Sequence, residues 1–272
     1  MRQLSADALS RAGLPACGIL SAQSAAPHLR GETPPFESVL VALFPYYAGQ
    51  APGNLSLYAR GADYHGVVRA LLEQAAERLA LRGRAYTDVS PFHETALAQA
   101  AGLGGIGQNG LLISRAFGSY AFIGELVVEE PLLPLQAGLA PGCTQCGACL
   151  RACPTGALGE SVDPARCLSG LTQRRQVDAQ QLALIAAAPL IWGCDACQLC
   201  CPANRALPQT ALPPFAQELI CRLDRSDLEG LSERAFRRRY AGRAFSWRGA
   251  WPLHRNLEAQ AGRLDADPPQ TR

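Results

Sequence analysis

The chain has 272 residues, 48% of them hydrophobic and 18% charged, with a formal net charge of +2. That supplies apolar mass for one large packed domain or two small ones, and it excludes wholesale disorder, an acidic tail protein and a globally basic nucleic-acid coat. All 25 basic residues are arginine, which excludes lysine Schiff-base chemistry. No run of about 20 apolar residues occurs, and the N-terminal MRQLSADALSRAGL has no continuous apolar stretch. The expectation is a cytoplasmic protein with no signal peptide and no membrane span.

Residues 1–138 read as alternating strands and helices. The apolar run 38–44 suits a buried strand stopped by Pro45, and the Gly-, Pro- and Asn-rich stretch 48–56 suits a loop. Apolar positions 67, 68, 71, 72, 75, 76 and 79 form a helical stripe over 65–81. A short strand over 84–88 comes next. Ser90 and Pro91 then read as an N-cap and first helical residue for a helix ending at Gly102. Five glycines between 102 and 110 permit close backbone approach to a flat or anionic group. They do not mark a dinucleotide site, because they follow a helix and lead into a strand at 111–114. A strand over 119–128 and a linker over 131–141 complete this half. Beyond a break at 208–214, residues 215–258 read as helical. Nine Arg stand against four acids between 222 and 255, either gripping phosphates or forming a solvated face. The last dozen residues read as a polar, frayed tail.

Nine of the eleven cysteines fall between 143 and 201, unlike the scatter of an exported disulfide scaffold. Cys143, Cys146, Cys149 and Cys153, followed by Pro154, have the C-x2-C-x2-C-x3-C-P spacing of a bacterial [4Fe–4S] ferredoxin. Cys194, Cys197 and Cys201, followed by Pro202, form a second set, with Cys167 between the two. In two-cluster ferredoxins the fourth cysteine ligates the other cluster. That rule assigns Cys143, Cys146, Cys149 and Cys201 to cluster one, and Cys153, Cys167, Cys194 and Cys197 to cluster two. Zinc also accepts C-x2-C pairs, but the full first run is specific to iron–sulfur chemistry. Cys200 could replace Cys201, although the following proline favours Cys201. Cys17 and Cys221 read as small buried hydrophobes.

Several segments resemble the epoxyqueuosine reductase family. In the first half they are Tyr58-Ala-Arg-Gly-Ala-Asp-Tyr-His65, Thr87-Asp88, 101–104 with Asn109, Phe117-Gly-Ser-Tyr120 and Gly124-Glu125-Leu126. In the second they are the 143–158 run, Arg166-Cys-Leu-Ser169 with Leu171-Thr172, the 193–198 segment with Cys201-Pro202, and Ser246-Trp-Arg-Gly249 with Arg255-Asn256. The resemblance implies an α/β (α+β) fold. A nitroreductase-like cobalamin-binding catalytic domain over 1–138 precedes a ferredoxin-like module with two [4Fe–4S] clusters over 139–208, and 209–272 is a helical, Arg-rich extension. The implied reaction is two-electron reduction of epoxyqueuosine to queuosine in tRNA, with cobalamin held base-off. The implied partners are the tRNA anticodon stem-loop and an electron donor such as flavodoxin or ferredoxin, with the protein a monomer.

The resemblance places Asp88 at the proton donor, beside an apolar macrocycle where a carboxyl would have a raised pKa and stay protonated. By itself Asp88 also reads as a turn residue before Ser90. Ser56, Asn109, Leu112 and Ile123 match corrin-contacting positions, and Ser169 and Asp195, beside cluster-two ligands, are expected to face the same cofactor. His65 and His93 are not expected to ligate cobalt, which the family leaves without a histidine. Gly105 and Gln108 depart from the family's usual aromatic and Lys near the expected corrin site. Longer members continue into a helical-repeat domain, and the expectation here is a short form without it beyond Asn256. Two other functions remain: a corrinoid and iron–sulfur reductase of a small molecule, like reductive dehalogenases, and a non-catalytic iron–sulfur electron-transfer protein.

Overall fold

The computed structural model of the chain describes residues 1–138 and 142–262. Residues 139–141 of the expected linker, with the domain boundary there, and residues 263–272 of the expected tail lie outside the described residues. The first half is built on strands β1 (Cys17–Ser21), β2 (Ser38–Pro45), β3 (Gly83–Tyr86) and β6 (Ala121–Val128), with a small hairpin of β4 (Gly105–Ile106) and β5 (Leu112–Ile113) before β6. The main sheet has the order β1-β2-β6-β3, and all its pairings are antiparallel.

An antiparallel sheet often keeps one face wet. Here both are covered, and that explains why β2 reads as an unbroken apolar run. Leu40, Ala42 and Phe44 pack with α1 (Ala6–Ala12) and α3 (Tyr64–Arg78). Val39, Val41 and Leu43 pack with α2 (Ala22–Ala25) and α4 (Glu94–Ala100). The result is three layers, helix, sheet and helix.

Two element boundaries differ from the sequence reading for local reasons. β3 ends at Tyr86 because Asp88 turns the chain with φ 60, the left-handed region that Asp tolerates better than most residues. Ser90 does not cap α4, which starts four residues later at Glu94. Instead the Ser90 hydroxyl donates to Glu125 on β6 and accepts from the Phe92 N–H at 3.1 Å.

The cysteine-rich part contains the short helices α5 (Ala148–Ala152), α6 (Leu168–Gln173), α7 (Ala179–Ala186) and α8 (Ala196–Leu199). After it come α9 (Pro213–Ala216), α10 (Arg225–Leu228), α11 (Glu233–Arg239) and α12 (Trp251–Gln260). The expected C-terminal helical stretch is thus four helices broken by turns. It is no loose appendage, because Phe236, Phe245 and Leu253 share a core with Leu55, Ala59, Ile191 and Trp192. Asn256 is wholly buried, and its amide donates to the Thr172 and Ile191 carbonyls at 2.8 and 2.7 Å.

The arginine excess largely resolves into structure. Arg255 is buried against backbone carbonyls and cannot grip a phosphate, and Arg222, Arg225, Arg237 and Arg239 pair with acids. Among the described residues, Arg234, Arg238 and Arg248 are exposed and make no ion pair.

Candidate functional site

A cleft of about 550 Å³ opens between the sheet domain and the cysteine-rich part. That is within the roughly 300–1,000 Å³ of a small-molecule or cofactor site. One wall comes from β6 and the β4–β5 hairpin, with Phe122, Ile123, Leu112 and Asn109. Another comes from Tyr58 and Tyr64, and the floor from Cys167, Cys194, Cys197 and Ser169. Asp88 and Glu94 stand at one side.

Five of the expected cofactor contacts therefore converge: Asp88, Asn109, Leu112, Ile123 and Ser169. Ser56 and Asp195 do not line this cleft. They are buried against each other, with the Ser56 hydroxyl donating to Asp195 Oδ1 at 2.5 Å and the Leu57 N–H to Oδ2 at 3.0 Å. Their hydrogen bonds join the two halves. Gln198 and Asn204 make a second joint that the sequence reading missed. The Gln198 amide donates to the Ser119 carbonyl at 2.9 Å, and the Ser119 N–H donates to Asn204 Oδ1 at 2.8 Å.

Gly105 and Gln108 are also not part of the cleft wall. A Cβ on Gly105 would come within 2.8 Å of the Gly142 Cα, so glycine is required where two backbones cross. Gln108 accepts from the Gly147 N–H at 3.2 Å and lines a separate cavity.

That second cavity has Cys143, Cys146, Cys149 and Cys201 on its walls, the four residues assigned to cluster one. Cys153 and Cys167 lie near enough to Cys194 to influence its thiol, as Cys167 and Cys194 do for Cys197, so the cluster-two set is also grouped. Among the described residues, no three His, Cys, Asp or Glu converge tightly enough for a single metal ion. Cysteines spread around a cavity fit a cubane, whose irons stand between them. Backbone N–H groups of Gln145 and Ala157 point at Cys143 and Cys153 sulfurs, each at 3.3 Å, as thiolate ligands require. Cys17 is buried in the core, whereas Cys221 is only half-buried and its carbonyl receives the Asn54 and Leu55 N–H groups.

The acid–base groups sit at the cleft mouth. His65 Nδ1 is 2.7 Å from Asp63 Oδ1, and Nε2 is 3.1 Å from Asp88 Oδ2. Hydrogen bonds to Asp63 and Asp88 raise the His65 pKa to about 9, and the His65 bond holds Asp88 below its usual range. In the chain by itself the direction is thus opposite to the one the resemblance implies for Asp88: the hydrogen bond from a charged His65 favours the ionised carboxyl. With both ring nitrogens engaged, His65 is not free to bind a metal, and His93 is exposed and does not line the cleft.

Two acids near Asp88 have roles that the sequence reading did not assign. Glu94 accepts from the Asp88 N–H at 2.6 Å, and burial raises its pKa to about 7. Glu125, wholly buried on β6, is pushed up to about 8 by burial, and its Oε1 has no hydrogen-bond partner. A carboxyl whose folded pKa is raised stabilises the fold fully below its unfolded value of 4.5, and the benefit is lost as pH rises toward 8. The slope for one such group is about 1.4 kcal/mol per pH unit. Glu125→Gln is expected to flatten the fall in stability between pH 5 and 8, measured as the wild-type-minus-variant difference in urea unfolding.

Comparison with known proteins points one way. Residues 28–93 match the model "Epoxyqueuosine reductase QueG, DUF1730", and residues 142–204 match the "4Fe-4S double cluster binding domain". The chain is 38% identical over 175 residues to the epoxyqueuosine reductase of Shewanella oneidensis, covering 60% of this chain and 44% of that one. It is 39% identical over 171 residues to the Escherichia coli enzyme, covering 60% and 45%. The matches thus span under half the length of these curated relatives. The solved Streptococcus thermophilus epoxyqueuosine reductase superposes with a TM-score of 0.78 at 25% identity, over 94% of this chain and 80% of that one. An epoxyqueuosine reductase solved with an epoxyqueuosine-modified tRNA-Tyr stem-loop has the same fold, with a TM-score of 0.79 at 23% identity and the same coverage. The chain resembles epoxyqueuosine reductases in both halves, and its cysteine-rich part is a double [4Fe–4S] cluster-binding domain.

Proposed function

We propose that the chain is a cobalamin- and iron–sulfur-dependent reductase that converts epoxyqueuosine to queuosine in tRNA. The observation that carries this reading is one cleft with three of the four cluster-two cysteines, Cys167, Cys194 and Cys197, on its floor and Asp88, paired with His65, at its side. Residues 1–138 would form the nitroreductase-like cobalamin domain, 139–208 the two-cluster module and 209–272 the C-terminal extension. The similarity to epoxyqueuosine reductases, one of them solved with a tRNA stem-loop, supports the substrate. The absence of any helix long and apolar enough to cross a membrane, among the described residues, accords with a cytoplasmic site of action.

The residues present fit the cofactor set. The apolar wall of Leu112, Phe122 and Ile123 suits the face of a corrin, with Asn109 and Ser169 at its polar edge. Among the described residues no histidine lines it, which suits a base-off corrin. Bound cobalamin would supply a strongly reducing cobalt, and two clusters held by the eight assigned cysteines would supply electrons taken from a donor such as flavodoxin or ferredoxin.

Removing the epoxide oxygen as water consumes two electrons and two protons. The chain's own contribution is proton supply and position. His65 holds a proton against Asp88 Oδ2, and Asp63 on the opposite ring nitrogen fixes the imidazole plane. Asp88 passes this proton to the oxygen as it opens, and solvent supplies the second proton, which completes the water. Glu94 and Arg30 clamp the Asp88 backbone, through the Asp88 N–H and its carbonyl at 2.6 and 3.0 Å, so the carboxyl projects from a fixed loop.

The test is incubation of the reduced, cobalamin-loaded chain with an epoxyqueuosine-containing tRNA-Tyr stem-loop, followed by nucleoside mass analysis. Loss of 16 mass units, one oxygen, supports the reading. An unchanged nucleoside with about eight irons and one corrin bound favours a small-molecule reductase; eight irons with no corrin leave an electron-transfer protein.

A further inference from the structure

Trp247 is not accounted for by the cleft chemistry. It is 51% exposed, yet it is not loose. Its indole N–H donates to Gln173 Oε1 at 3.2 Å, and the Arg248 guanidinium lies over its ring, 3.7 Å from the centroid. Gln173 in turn donates to the Tyr58 hydroxyl at 3.1 Å, and Tyr58 is a wall of the cofactor cleft. The ring lines an adjoining cavity of about 340 Å³ with Tyr58, Tyr64, His65 and Asp88. Singly exposed aromatics are common on surfaces and need no explanation. One fixed at its polar edge, backed by a cation and facing a cavity that contains the proton-transfer pair is different.

We infer that Trp247, backed by Arg248 and held by Gln173, is a stacking plate for an unpaired nucleobase of the RNA substrate. The inference rests on the tRNA reading above and adds the residue that grips the loop. Enzymes acting on a base need it out of the stack, and single-stranded RNA loops are read by stacking on aromatic or guanidinium planes. Every base has a π-face, so the plate tolerates sequence and holds position more than it selects identity. Arg248, exposed and without an ion pair among the described residues, adds a cation for a neighbouring phosphate.

The experiment measures binding of a tRNA-Tyr anticodon stem-loop to the cofactor-loaded full chain at several salt concentrations. A companion set of stem-loops each lacks one loop base. Trp247→Ala is expected to weaken binding about 10-fold without changing the salt slope, and Trp247→Phe to stay within about three-fold of wild type. Arg248→Gln is expected to reduce the slope by about 0.7–0.9. One abasic stem-loop should lose about the same 10-fold on wild type and nothing further on Trp247→Ala, the signature of a shared contact. Binding by Trp247→Ala within two-fold of wild type, or losses that add, overturns the inference. Failure of the wild type to bind the stem-loop overturns the tRNA reading with it, whereas tight wild-type binding indifferent to Trp247 overturns this inference alone.

Discussion

Asp88→Asn lowers turnover by about 10²–10⁴-fold, the usual scale for a lost general acid, while iron content and corrin binding remain at wild-type levels. The amide retains the shape and can still face His65, but it cannot accept a proton from Nε2 and release it to an opening epoxide. Because Asp88 is held ionised and His65 is charged up to about pH 9, wild-type turnover is expected to fall as pH rises through about 9. His65→Asn removes the proton store without touching the cleft wall, so that alkaline limb should move or vanish. A rate set by a protonated Asp88 alone would instead keep its limb in His65→Asn. Single-turnover rates across pH 6–10 distinguish the two. An Asp88→Asn chain with wild-type turnover removes this residue from the chemistry altogether.

The difference between a protonated Asp88 and one paired with His65 shows where a sequence stops being readable. Asp88 and its loop are recognisable from local residues, but its charge state is set by a histidine 23 positions earlier on α3. The helical stripe of α3 is visible; the angle at which its first turn meets the β3 loop is not. Glu125 is hidden for a related reason. It lies on β6, in a stretch that reads as an ordinary strand, and nothing local says that Ser90 will be its hydrogen-bond partner. Conversely, the C-x2-C-x2-C spacing is local geometry, and Cys143, Cys146 and Cys149 do share one cavity, whereas Cys201, 48 positions beyond Cys153, reaches it only through the fold. Ser56 and Asp195 had the opposite fate. They stand 139 positions apart, and the fold closes that separation into a buried hydrogen bond between the halves that nothing local announces. The same holds for Gly105, whose missing side chain serves a backbone crossing with Gly142.

The adjacent Cys200 and Cys201 give the second large effect. Spacing alone admits either as the last ligand of cluster one, and both sulfurs are near the others: Cys200 lies close enough to Cys146 to feel its charge. The geometry separates them. Cys201 lines the cavity with Cys143, Cys146 and Cys149, while the Cys200 thiol points at the Cys197 carbonyl, 3.5 Å away, at the end of α8. Pro202 makes the chain leave the helix directly after Cys201, whose backbone is already extended at ψ 124, and this turns its side chain toward the cavity while Cys200 remains in helical conformation. Cys201→Ala is therefore expected to reduce iron from about eight to about four per chain and to abolish turnover with an external electron donor, whereas Cys200→Ala should keep all eight. Anaerobic iron and sulfide analysis of the two variants reads this directly. If Cys200→Ala is the one that loses iron, the ligand role moves by one residue and the swapped pairing of the two clusters must be redrawn from that position.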